Sequence, residues 1–166
     1  MPDQTTSSSK LSEQSPDRAA VAFHPPILLL ICIVGGFVER WLVPVSFLPD
    51  GLAPLIGIPL VVGALALFGW AVITMRRGGA SVPTHTPTAA IVASGPYRFS
   101  RNPIYLAMML LLIGLGCWTN SIWFLAWTVV ATILLTYFVI KREEEYLERK
   151  FGEAYLGYKR GVRRWI

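Results

Sequence analysis

The chain reads as an all-α integral membrane protein, with about four transmembrane helices and a cytoplasmic amphipathic helix after the last of them. Three observations predict this. Of 166 residues, 54% are hydrophobic and 15% charged, with a mean hydropathy of +0.52, whereas about a quarter of the residues in a soluble domain carry charge. Four apolar runs can be drawn, at about 26–48, 52–75, 103–119 and 121–140, against the ~20 residues that an α-helix needs to cross ~30 Å of hydrocarbon. Lysine and arginine, finally, gather in a loop at 76–102 and a tail at 141–166, while the joints near 49–51 and 119–121 carry none. Since short loops rich in these residues stay cytoplasmic, both ends and the middle loop are expected on that side; with no nucleus-type signal, cleavable leader or retrieval tail read in the sequence, the expected membrane is the plasma membrane of a prokaryote.

Residues 1–22 are polar and too poor in apolar side chains to offset the entropy of ordering, which predicts a disordered tail. The apolar run behind it starts late and lacks a small-residue cleavage pattern, so the tail does not read as a signal peptide. Residues 23–166 then form a single membrane domain. Its first run is interrupted by Glu39-Arg40 and Pro44, leaving an uninterrupted core from Pro26 to Val38 and a span that ends near an interface with Trp41 as anchor. The second run is long enough without argument. Gly78-Gly79, Pro83, Pro87 and Gly95-Pro96 oppose a long helix between the second and third spans, and irregular backbone beside a membrane is tolerated where it lines a cavity or meets a ligand. The third run, Ile104 to Trp118, is short, and is either shielded by protein or extended by its Asn102-Pro103 start, proline being well accommodated at a first helical position. After the fourth, Leu147, Phe151, Tyr155, Tyr158 and Val162 fall at i, i+4, i+8, i+11 and i+15, a single apolar stripe on a helix that lies on the membrane surface or folds back over the loop. Gly152 and Gly157 weaken that helix and are places where it can bend or break.

Several function classes are disfavoured. The net charge of +5 comes from basic residues that flank spans, which suits an anionic lipid surface better than nucleic acid. Cys32 and Cys117 lie inside apolar runs, and His24 and His85 stand alone, so no metal site is expected. Neither a dinucleotide fingerprint, a phosphate loop nor a nucleophile elbow is present, and there is no internal repeat. Two polar elements remain: the stretch Gly95 to Tyr105, with turn residues, arginines, an amide and two tyrosines against a span, and the run Lys141-Arg142-Glu143-Glu144-Glu145 where the fourth span ends. The plainest reading of the first is topology and headgroup contact by Arg98 and Arg101. That of the second is a solvated helix face.

Together, however, the two elements resemble the signature of the isoprenylcysteine carboxyl methyltransferase family and its relatives among phospholipid methyltransferases. Gly95, Tyr97, Arg101, Asn102, Pro103 and Tyr105 match the family's loop, with Asn102 where eukaryotic members carry histidine. Glu143, Glu144, Leu147, Phe151, Gly152, Tyr155, Tyr158 and Val162 match its tail. The resemblance covers residues 84–165 and implies an S-adenosyl-L-methionine pocket on the cytoplasmic side. The implied cofactor contacts are Tyr97, Asn102, Pro103, Tyr105, Glu143 and Glu144: a carboxylate for the ammonium or ribose, backbone N–H groups for the carboxylate, tyrosines for the adenine or sulfonium. Arg101 and Arg142 are the candidate catalytic residues, with Arg142 the nearest candidate for the arginine that holds a prenylcysteine carboxylate in some members. The expected reaction is in-line methyl transfer to a lipidic or prenylcysteine-like carboxylate presented from the bilayer, needing alignment and exclusion of water more than a base. A phospholipid amine acceptor is the alternative, in which Glu143, Glu144 or a water takes a proton. A non-enzymatic lipid-binding protein is the second alternative.

Overall fold

The computed structural model describes residues 24–49, 51–79 and 90–166. The polar tail 1–22, Pro83, His85 and Pro87 lie outside the described residues. The described residues form helices and turns: α1 (Pro25–Leu42), α2 (Leu52–Arg77), a 3₁₀ turn (Gly95–Arg98), α3 (Pro103–Trp118), α4 (Ile122–Leu135), a π-helical turn (Thr136–Ile140), α5 (Lys141–Phe151) and α6 (Glu153–Gly161). Helices α1, α2 and the rod that begins with α4 are long and apolar enough to cross a membrane, and α3 is a shorter apolar helix. At about 1.5 Å per residue α3 reaches only ~24 Å. The Pro103 start adds one residue to the run, and the helix is shielded besides, because α2 packs along one side of it and α4 along another, with α1 against α4. Its buried residues include Tyr105, Met108, Met109, Leu112, Gly114 and Cys117.

The α2–α3 contact follows from residue size. Ala53, Gly57, Ala64 and Ala71 are the buried residues of α2, four small side chains on one stripe, and small residues let membrane helices approach closely. A Cβ on Gly57 would stand 2.1 Å from the Trp118 backbone nitrogen. The main core lies on the other side of α3, where Leu28 and Cys32 of α1, Leu112 of α3 and Phe124, Ala131 and Leu135 of α4 meet.

Three expectations are corrected. The first span does not run to 48: α1 ends at Leu42, since Pro44 biases Val43 (φ −138°, ψ 84°) out of the helical region. Nor do Glu39 and Arg40 interrupt it. Glu39 accepts a 2.9 Å hydrogen bond from Trp127 Nε1, and Arg40 donates to the Thr119 carbonyl. The segment after α1 is then tied to the α3–α4 turn by Asn120, which sits at φ 50°. Its Oδ1 accepts from the Phe47 and Leu48 amides at 3.0 and 2.8 Å, and its Nδ2 donates to the Leu48 carbonyl at 2.9 Å.

The third concerns the tail, where the single stripe is carried by two helices, broken at the first of the two glycines that the sequence marks as weak points. Gly152 at φ 53°, ψ −128° occupies a region that only glycine adopts without strain, and it turns α6 back. Leading into α5, the hydroxyls of Thr128, Thr132 and Thr136 each bond the carbonyl four residues earlier, at 2.7, 2.7 and 2.6 Å. Such back-bonding competes with the helix ladder, and the π-helical turn follows directly. Val139 and Ile140 within it and Glu144 after it are buried, while Lys141, Arg142 and Glu145 are exposed.

Candidate active site

At the end of the bundle where α2 stops and α3 begins, three elements converge: the 3₁₀ turn with Ser100–Asn102, the first turn of α3, and the start of α5. Tyr97 is buried against Ala71 and Val92, and its hydroxyl has no hydrogen-bond partner among the described residues. Its backbone carbonyl accepts a 2.7 Å bond from the Tyr158 hydroxyl, so α6 is fastened over the turn. Pro103 opens α3 as the sequence predicts. Two residues on, the Tyr105 hydroxyl donates to Glu143 Oε1 at 3.0 Å.

The neighbouring carboxylates are treated differently. Glu144 is 5% exposed and takes both available cations. Arg164 Nε and Nη2 donate to its two oxygens at 3.0 and 2.7 Å, a bidentate fork that fixes geometry as well as charge, and Arg101 Nη2 stands 3.3 Å from Oε1. Glu143, by contrast, has a tyrosine donor and no ion pair among the described residues. Burial pushes its carboxyl up to about 7, only partly opposed by the Tyr105 hydrogen bond and reinforced by the nearby Glu144 charge. Burial also pushes the Tyr97 hydroxyl up, with Tyr158 and Glu143 adding to it, and carries Tyr158 to about 12. The Glu144 hydrogen bond raises Arg164.

Most of the expected site residues are therefore brought together: Tyr97, Arg101, Pro103, Tyr105, Glu143 and Glu144. Asn102 is present in a different posture. Its Nδ2 donates 3.0 Å to the Arg164 carbonyl and its amide donates 3.1 Å to Ser100 Oγ. Arg142 remains exposed on α5. Arg101 is half engaged, its Nε and Nη1 buried without a partner among the described residues. Sequence reasoning missed Arg164, which reads as one more topology charge beside Arg163, and took Tyr155 and Tyr158 only as members of an apolar stripe. No three of His, Cys, Asp and Glu converge as metal ligands among the described residues.

A bundle of apolar helices with a carboxylate left without a cation and the unpartnered polar atoms of Tyr97 and Arg101 at one end defines a class: integral membrane proteins with a polar cluster at one end of the bundle. Comparison with known proteins narrows it. Residues 52–154 match the family profile of the phospholipid methyltransferases, and the chain belongs to that family. It is 40% identical over 65 residues to an uncharacterized protein of Haemophilus influenzae, covering 38% of this chain and all of that one. It is 36% identical over 63 residues to the nickel-cobalt-cadmium resistance protein NccN of Alcaligenes xylosoxydans and to the cobalt-zinc-cadmium resistance protein CzcN of Cupriavidus metallidurans. Each match covers 38% of this chain and only 30% and 29% of those proteins. Among solved structures, a eukaryotic intramembrane Ras methyltransferase, isoprenylcysteine carboxyl methyltransferase, shares the fold with a TM-score of 0.62 at 22% identity, over 85% of this chain and 51% of that one. The chain thus spans about half the length of that enzyme. It is an integral membrane protein of a methyltransferase family.

Proposed function

We propose that the chain transfers the methyl group of S-adenosylmethionine to a lipid acceptor at the cytoplasmic membrane face, with the loop before α3 and the segment from 141 onward on that side. The observation that carries this reading is Glu143: a carboxylate crowded by protein, given a tyrosine donor at 3.0 Å and left without a cation while its neighbour Glu144 takes two. Such a group suits a cationic ligand. The orphaned Tyr97 hydroxyl and the free edge of Arg101 suit the hydroxyls and carboxylate of the same cofactor, since buried donors and acceptors without partners are costly unless a ligand meets them. When bound, S-adenosylmethionine supplies a methyl group on a positively charged sulfur. The chain's own part is to hold the cofactor's charges, to keep water out beneath α6, and to leave the pocket open to the bilayer.

Two acceptor chemistries follow from the residues. A lipid amine must lose a proton before it attacks, and with Glu143 engaged by the cofactor a water beside it is suited to take that proton. A lipidated carboxylate needs no base but wants a cation. Arg101 already faces Glu144 and Arg142 is exposed, so the amine becomes the first reading here and the carboxylate the second, supported by the free edge of Arg101.

The test uses methyl-labelled S-adenosylmethionine with the purified protein in vesicles, offering phosphatidylethanolamine or a farnesylated cysteine. Alkali-stable label in the phospholipid supports an amine acceptor. Label released by alkali, as a methyl ester is, supports the carboxylate. No labelled product and no cofactor binding leave a lipid-binding protein that Glu143→Gln hardly affects.

A further inference from the structure

The segment Val162–Ile166 is not a loose end of α6. Val162 is extended (φ −127°, ψ 131°), and the chain runs back across the turn that leads into α3. The Arg163 carbonyl accepts the Arg101 amide at 3.0 Å. The Arg164 carbonyl accepts both Ser100 Oγ, at 3.3 Å, and Asn102 Nδ2, at 3.0 Å. Trp165 packs against the main core. The Arg164 guanidinium meanwhile forks onto Glu144, the carboxylate that also faces Arg101. One residue thus reaches the pocket by two routes, its carbonyl holding the Asn102 amide and its side chain holding Arg101 through Glu144.

We propose that Arg164 is a positioning residue, which latches Val162–Ile166 onto Ser100–Asn102 and so holds Asn102 and Arg101 in register for the pocket. This rests on the cofactor reading above. It also assigns Glu144 the role of anchor for the latch, leaving Glu143 as the carboxylate that meets the cofactor. A fork-shaped cation is required: lysine offers a point charge and cannot bond both carboxylate oxygens in that geometry. Removing Arg164 leaves Glu144 paired with Arg101, so no buried charge is orphaned, and an Arg164→Gln protein retains its fold.

The experiment takes the full chain in nanodiscs as wild type, Arg164→Gln and Arg164→Lys. Hydrogen exchange is followed in peptides covering 100–102 and 158–166, S-adenosylmethionine affinity by calorimetry, and the thermal midpoint separately. Arg164→Gln is expected to speed exchange of the Arg101 amide and to weaken cofactor affinity about tenfold, as a small misplacement of positioning groups does, with the thermal midpoint nearly unchanged; Arg164→Lys recovers only part of both. Unchanged exchange overturns the latch. Faster exchange with affinity within about twofold of wild type overturns the positioning role, because a purely structural strap would behave so. If folded wild type binds no cofactor, the functional reading fails first and visibly; the exchange arm then decides the latch alone, faster exchange upholding it and unchanged exchange overturning it.

Discussion

Glu143 carries two opposed effects. Burial makes its proton hard to lose, while the Tyr105 hydroxyl stabilises the ionised form. With its pKa raised in the fold from 4.5 to about 7, the group favours folding at low pH, where it is protonated in both states or only in the fold. That stability is lost progressively as pH rises from 4.5 and is gone above about 7, and a bound cation restores it. Cofactor affinity is therefore expected to fall below pH 7, by up to about tenfold per pH unit, and to be pH-independent over that range in Glu143→Gln. Calorimetric titrations between pH 5.5 and 8.5 check this. In Tyr105→Phe the stabilising hydrogen bond is gone, so the midpoint moves above 7; a midpoint that moved down would contradict the arrangement.

At the scale of elements, the spans were legible because hydropathy and proline are local signals: α3 begins at Pro103 and α2 begins at Leu52 as the runs suggest. What was not legible depends on partners distant in sequence. Glu39-Arg40 looks like a helix stop until Trp127 and Thr119 are seen to satisfy it, and Asn120 looks like an ordinary turn residue until its amide is found bonded to Phe47 and Leu48. The stripe from Leu147 to Val162 was read on one helix that Gly152 or Gly157 could break, and spacing alone does not say which; the corner falls at Gly152. Two substitutions test these packing statements. Gly57→Ala places a methyl group against the Trp118 backbone, which cannot move away as a side chain could, and is expected to cost about 1–3 kcal/mol or more. Gly152→Ala meets open space but is strained by its positive φ, and is expected to cost about 1–3 kcal/mol, seen as faster hydrogen exchange in α6 with the spans unaffected.

For the whole molecule, the bundle supplies a fixed frame in which α3, covered by α2 on one side and α4 and α1 on the other, presents Tyr105 to the rod formed by α4 and α5. The meeting of the two motifs was legible, since both flank spans that bring them to one end. The division of labour within it was not: nothing in Glu143-Glu144-Glu145 says which carboxylate is consumed by Arg101 and Arg164 and which is left for a ligand. The measurement that bears most directly on this is calorimetric titration of the purified, folded protein in nanodiscs with S-adenosylmethionine at pH 7.5, beside Glu143→Gln. Saturable binding by the wild type that Glu143→Gln measurably weakens is the predicted result. No binding by the wild type, or equal binding by Glu143→Gln, would contradict the assignment of Glu143 as the carboxylate that receives the cofactor.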